Sequence, residues 1–280
     1  MNPLLALTSV FGLFGAGRSP AALLNITVPH SGYCVIRDIA YGIGPRHHMD
    51  LYLPPHARES APVVVFFYGG AFRAGRKSEY RFVGEALASR GIIVAVPDYR
   101  TYPTARFPDF LDDGAAALVK AREIAAAYGG DPERLFVAGH SAGAYIAVML
   151  AANPAWLQGQ GGSVSSIRGV IALSGRYHDS PLQDETAERI FGGLARDETR
   201  PAFFIRGAGP PMLLAAGSRE GAAVLEGKER LAGHLRAHGS HVEEALYPGI
   251  GHAGIMLALA PGFRGRGPVR EDIIRFVQSH

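Results

Sequence analysis

From Val63 onward the chain alternates short, almost wholly apolar runs with stretches of helical periodicity. The runs are Val63–Tyr68, Ile92–Pro97, Arg134–Gly139, Val170–Ser174, Met212–Ala216 and Val242–Tyr247. Strands apolar on both sides must be covered on both faces, which a parallel sheet flanked by helices achieves. Helices are expected at Tyr80–Ser89, Asp109–Tyr128, Ala142–Ala152, Leu225–His238 and Val269–Gln278. In the second of these, Leu111, Ala115, Leu118 and Ala121 recur at helical spacing. Asp112 and Asp113 lie in its first turns, where the helix dipole favours negative charge. Two earlier strands, Cys34–Ala40 and His48–Leu53, are separated by Gly42, Gly44 and Pro45 and read as an antiparallel hairpin. The fold class is α/β: a mostly parallel sheet of about eight strands with helices on both faces.

One junction in this alternation carries chemistry. Leu135-Phe136-Val137-Ala138 runs directly into Gly139-His140-Ser141-Ala142-Gly143, which opens the apolar stretch Ala144–Leu150. A buried strand, a sharp turn of small residues and a helix form the setting in which G-x-S-x-G presents a nucleophilic serine. The plainer alternative is a strand-to-helix turn with Ser141 as its N-cap. A reactive serine needs a base to take its proton and donors to stabilise an oxyanion. Tyr68-Gly69-Gly70-Ala71-Phe72 follows the first parallel strand, where consecutive glycines let backbone N–H groups approach a substrate oxygen. Gly70 and Ala71, with Ala142 at the helix start, are the expected oxyanion donors; a simple glycine turn is the alternative.

Eleven histidines compete for the base. His47 and His48 lie near a hairpin, His234 and His238 on a helix, and His140 inside the elbow, where bracing is the expected role. His252 follows the last strand in Gly249-Ile250-Gly251-His252-Ala253-Gly254, a loop flanked by glycines. The chain order nucleophile, acid, histidine puts the base there. The acid belongs after the penultimate strand, in Gly217-Ser218-Arg219-Glu220, and Glu220 is the candidate to orient the imidazole. Glu226 and Glu229 fall further along the helix, and Asp184 and Asp197 precede the strand.

Composition bounds the rest. At 280 residues and 48% hydrophobic content, with no repeat or low-complexity linker, one large core is expected. The net charge is +3, and the densest basic stretch, Phe263–Arg270, reads as a solvated loop, so no nucleic-acid partner is expected. No G-x-G-x-x-G follows the first parallel strand. Cys34 is the sole cysteine, which excludes an internal disulfide and a cysteine-based metal site. No cofactor or metal is expected. Residues 1–33 form a separate N-terminal apolar segment, and 34–280 the catalytic domain. Leu4–Gly17 is mostly apolar and ends in the small residues Gly15-Ala16-Gly17, but no Lys or Arg precedes it as in a signal peptide. It is also shorter than the roughly 18 apolar residues of a membrane span. A segment packing over the body, in a cytoplasmic protein, is the expectation; a signal-like segment and an exported or periplasmic protein are the alternative. The stretch Arg176–Pro210 follows a strand end and is expected to form a small or minimal lid.

With these pieces in order, the chain from about Val35 onward resembles the α/β-hydrolase superfamily. It is similar to the bacterial carboxylesterases related to hormone-sensitive lipase, kynurenine formamidase and prenylcysteine methylesterase. The resemblance rests on Phe67–Phe72, Pro97-Asp98-Tyr99-Arg100, Gly139–Gly143 and Tyr247–His252, four motifs in family order. It implies Ser141, Glu220 and His252 as nucleophile, acid and base, and Gly70, Ala71 and Ala142 as oxyanion donors. It further implies hydrolysis of small or short-acyl esters through an acyl-enzyme. An aryl-formamidase or amidase with the same triad and a non-catalytic binding protein of this fold are the alternatives. The chain departs from the family pattern at Tyr68 and Phe72, where histidine and tryptophan are usual, and at Glu220, where aspartate is usual. Arg176, Tyr177 and Arg206 are candidates to line the pocket, and the partner is a small-molecule ester. Nothing in the sequence fixes an oligomeric state.

Overall fold

Strand β3 (Ala61–Phe67) is buried along its whole length, as its uninterrupted Val-Val-Val-Phe-Phe run requires. The computed structural model of the protein describes residues 20–55, 60–177, 185–192 and 196–280. The apolar run Leu4–Gly17 lies outside them, as do parts of the lid stretch. Around β3 the sheet holds β1 (Cys34–Ala40), β2 (His48–Leu53), β4 (Ile93–Pro97), β5 (Gly130–His140), β6 (Ile167–Leu173), β7 (Met212–Gly217) and β8 (Val242–Tyr247). Its eight strands run in the order β1-β2-β4-β3-β5-β6-β7-β8. β1 and β2 form the expected antiparallel hairpin, β2 is also antiparallel to β4, and all other pairings are parallel.

The strand order explains why the helices divide between two faces. From β3 through α1 (Arg81–Ala88) to β4 the chain steps one way across the sheet; from β4 through α2 (Asp109–Ile124) to β5 it steps back past β3. Right-handed crossovers in opposite directions put α1 and α2 on opposite faces. The later steps, through α3 (Ala142–Ala152) and α4 (Ala222–Ala237), continue in the second direction and stay on the face of α2. A short helix α5 (His252–Leu257) leads to α6 (Val269–Ser279), which returns to α1, where Arg270 Nε donates to the Ala86 carbonyl at 2.8 Å. The reversal leaves a crevice beyond the carboxyl ends of β3 and β5, where ligands of open α/β sheets bind. β3 and β5 are paired up to Phe67↔Gly139, so the Gly69-Gly70 loop and the Ser141 elbow leave the sheet side by side.

The expected elements are all present, with shifts at their ends. β5 starts at Gly130 rather than Arg134, because Ala61 pairs with Gly130 across a register shift that the hydrophobic pattern does not reveal. The helix expected to reach Tyr128 ends at Ile124 and finishes in a tighter turn, Ala126–Tyr128. Among the described residues no helix is long and apolar enough to cross a membrane.

Candidate active site

The elbow is held by backbone packed on backbone. Ser141 adopts φ 55° and ψ −116°, a conformation costly for a residue with a side chain. Its N–H donates to the Leu173 carbonyl of β6 at 2.9 Å, and its carbonyl accepts from Tyr145 N–H at 3.1 Å. The neighbouring glycines make this turn possible. A Cβ on Gly143 would lie 2.0 Å from the Phe67 carbonyl oxygen, and one on Gly139 would lie 2.2 Å from the Gly143 carbonyl oxygen. Strand and helix approach as closely as they do only because both positions lack a side chain.

Across the crevice, the loop after β3 turns back on itself. Gly70, at φ 145°, accepts at its carbonyl from Arg73 and Ala74 N–H at 3.0 and 3.1 Å, and Ala71 and Phe72 follow at φ 51° and 58°. Among the described residues, the N–H groups of Gly70 and Ala71 donate to no backbone carbonyl. The Ala142 N–H belongs to the first turn of α3, where the helix supplies no acceptor. Ala71 and Ala142 border the same cavity as Ser141.

The two departures in this loop have structural counterparts. Tyr68 is buried, stacked between Tyr80 and Tyr99 at ring-centroid distances of 5.1 and 4.7 Å. Its hydroxyl donates to Asp98 Oδ1 at 2.7 Å and accepts from Arg46 Nη2 at 2.9 Å. Tyr99 donates to the Tyr68 carbonyl at 2.8 Å, and Asp98 Oδ1 also accepts the Lys77 N–H at 2.8 Å. The loop is thereby braced by phenol, carboxylate and guanidinium. Phe72 anchors the far end, its ring stacked on Phe110 at 4.4 Å and set edge-on to Tyr145 and Phe191. Sequence reading missed Arg46 in this brace; the signal for Asp98 was the Pro97-Asp98-Tyr99-Arg100 motif.

His252 is the first residue of α5 rather than a loop residue, and its ring reaches back over the crevice. Its Nε2 lies 2.9 Å from Ser141 Oγ, and its Nδ1 lies 3.0 Å from Glu220 Oε2. The ring is half-exposed, whereas the Glu220 side chain is only 2% exposed. The three residues named from sequence are therefore brought into one hydrogen-bonded line. His140 is buried beneath them, with Nε2 3.0 Å from the His252 carbonyl oxygen and the two rings 4.8 Å apart. Burial, reinforced by the neighbouring His252 ring, pushes its imidazole down to about 3, so His140 is neutral at ordinary pH. A neutral ring with Nε2–H donates to the His252 carbonyl, the bracing role expected for it.

The cavity beside Ser141 measures about 330 Å³ and is walled by Phe72, Tyr145, Arg176, Gly221 and Val224. Of the three residues suggested for its lining, Arg176 is there. Tyr177 is instead fully buried beside it, and Arg206 lies over the Phe203 ring and bonds the Ile205 carbonyl. Part of the expected lid stretch is seen at Glu185–Phe191 and 196–204, tied down by Phe107 N–H to the Ile190 carbonyl at 2.9 Å and by Tyr145 Oη to the Thr199 carbonyl at 2.8 Å. Among the other histidines, His47 bonds Asp113 at 3.0 Å, and His234 on α4 faces His238 just past its end. His241, Glu243 and His280 bring potential metal-ligand atoms within 4.8 Å of one another. Glu243 Oε2 also holds Arg275 at 2.7 Å, and Arg168 donates to the His280 carbonyl.

The fold recurs in solved structures. The chain superposes on esterase B from Lactobacillus rhamnosis with a TM-score of 0.79 at 18% identity, over 99% of this chain and 94% of that one. It superposes on butyrate-bound esterase 2 of Thermogutta terrifontis with a TM-score of 0.71 at 22% identity, over 89% and 94%. The chain belongs to the α/β-hydrolase superfamily. The BD-FAE family model matches residues 49–169 of this α/β-hydrolase chain, from β2 to the start of β6. A probable isoprenylcysteine alpha-carbonyl methylesterase ICME of Oryza sativa is 32% identical over 266 residues, 88% of this chain and 64% of the relative. Carboxylesterase NlhH of Mycobacterium tuberculosis is 42% identical over 103 residues, 36% of this chain and 32% of the relative. The chain thus spans less than two thirds of the length of these curated relatives.

Proposed function

We propose that the protein is a serine carboxylic-ester hydrolase whose catalytic domain is residues 34–280. The line Glu220–His252–Ser141, at 3.0 and 2.9 Å, carries this reading. His252 Nε2 takes the Ser141 proton as Oγ attacks the ester carbonyl, and the buried Glu220 carboxylate holds the tautomer with Nδ1–H and stabilises the imidazolium. Gly70, Ala71 and Ala142 N–H groups receive the oxyanion. As the carbon–oxygen bond to the alcohol breaks, the imidazolium returns its proton to the leaving oxygen. A water deprotonated by His252 then attacks the acyl-enzyme, releasing the acid and free Ser141. The names of the relatives, methylesterase and carboxylesterase, support ester chemistry. A cavity of about 330 Å³, near the lower end of ligand pockets, supports a small or short-acyl ester.

The test is labelling by a fluorophosphonate probe alongside turnover of aryl esters of increasing acyl length. Wild-type protein is expected to label and turn over, while Ser141→Ala does neither and folds normally, with a loss of about 10⁴-fold or more in kcat. Absence of labelling in folded wild-type protein would favour a non-catalytic binding protein. Faster cleavage of a formyl-anilide than of the matching aryl ester would move the assignment to a formamidase.

A further inference from the structure

Three buried polar atoms at the carboxyl ends of β6 and β7 lack a hydrogen-bond partner among the described residues: Ser174 Oγ, Tyr177 Oη and Glu220 Oε1. Buried polar groups are ordinarily paired with protein or with ordered water, so three orphans in one neighbourhood need a common explanation. The fold places their main chains at the adjacent ends of two paired strands. Ser174 immediately follows β6 at φ 52° and is 1% exposed, and its N–H donates to the Ala215 carbonyl of β7 at 2.8 Å. β7 then leads within a few residues to Glu220, whose N–H closes a turn on the Gly217 carbonyl at 3.2 Å. Tyr177, 2% exposed, folds back so that its hydroxyl would lie 2.2 Å from a Cβ on Gly175. Burial pushes the Tyr177 phenol up; the Gly175 peptide pulls it back, and the nearby Glu220 charge raises it further.

We propose that Ser174 and Tyr177 are positioning residues for Glu220, their hydroxyls donating to Glu220 Oε1 through one shared buried water. The inference rests on Glu220 being the acid of the proposed triad. A carboxylate has several lone-pair sites, and one oxygen on His252 Nδ1 leaves the other to be satisfied. Donors on Oε1 keep the carboxylate ionised and fix its plane, so that Oε2 stays on the imidazole. A glutamate has one more rotatable bond than an aspartate, and a second anchor removes that freedom.

The experiment is a double-mutant cycle on the full chain, read as kcat, KM and the pH profile with an activated short-acyl ester. Tyr177→Phe and Ser174→Ala are each expected to lower kcat about 5- to 20-fold with KM little changed, as a misaligned general base requires. The acid limb should move to lower pH, because an imidazolium that loses its aligned carboxylate gives up its proton more readily. On a Glu220→Ala background both substitutions should add almost nothing, since the group they position is gone. Thermal melting gives an independent arm: a hydroxyl that donates to Glu220 through the water makes Tyr177→Phe less stable, whereas a true orphan makes it more stable. Unchanged kcat and pH profile, full additivity on Glu220→Ala, or a raised melting temperature each overturn the proposal. A Glu220→Ala protein as active as wild type defeats the acid assignment itself, a different outcome from active-site loss in Glu220→Ala with silent hydroxyl variants.

Discussion

The two flanks of His252 are built by different means. On the Ser141 side the geometry is fixed by main chain: Gly143 against the Phe67 carbonyl, Gly139 against Gly143, and Ser141 N–H on Leu173. On the Glu220 side it depends on side chains, a carboxylate reaching across from the β7 turn with one oxygen on His252 and the other without a partner among the described residues. Backbone contacts at the limit of steric approach permit one arrangement, while a flexible side chain permits several and needs companions to choose among them. The flank fixed by main chain keeps the family pattern at Ser141. The flank built from side chains is where glutamate stands in place of the usual aspartate.

The comparison breaks most visibly if main chain is not what holds the elbow. Gly143→Ala forces a Cβ into the Phe67 peptide and is expected to destabilise the protein by about 3 kcal/mol or more and to abolish turnover. Chemical denaturation reads this directly, and a variant within about 0.5 kcal/mol of wild type would show that the elbow yields. On the other flank, Glu220→Asp withdraws the carboxylate by one methylene while keeping its charge. It should fold normally and lose about 10- to 100-fold in kcat, the scale of a misplacement on the order of 1 Å. Activity equal to wild type would mean that the turn after β7 closes the gap by itself.

The third prediction concerns His140, which links the flanks through the His252 carbonyl. Its folded-state value of about 3 lies below the ordinary histidine value of 6.5, so the unfolded chain takes up the proton first as pH falls. Its contribution to stability is full above pH 6.5 and is lost on the way down towards 3, at roughly 1 kcal/mol per pH unit. Urea midpoints at pH 7 and pH 5 should diverge in wild type and converge in His140→Gln. Equal pH slopes in the two proteins would place the acid sensitivity elsewhere.

Legibility in the sequence follows the same division. The strand–elbow–helix junction could be read directly, because Gly139 and Gly143 are demanded by contacts between residues four apart or on the neighbouring strand. His252 was found from chain order, yet the helix it begins was not, since six residues after glycine-rich turns carry too little periodicity. The brace under Tyr68 joins Arg46, Tyr68 and Asp98 from three separate connections, and no spacing rule links them. Arg206 was expected near the pocket by its position in the lid stretch; the turn after Pro201–Phe204 carries it onto Phe203 instead.

The sequence by itself determined the alternating architecture, the strand–serine–helix turn and the order of serine, glutamate and histidine. These depend on hydrophobic period and local backbone sterics, which act over a few residues. Only the tertiary structure decided that Glu220 meets His252, that His140 is neutral, and that Ser174 and Tyr177 bury their hydroxyls. Those outcomes depend on the strand order, which sets side chains more than 100 residues apart, such as Ser141 and His252, within 2.9 Å. Their low-dielectric surroundings exist only once the sheet and its helices have closed around them.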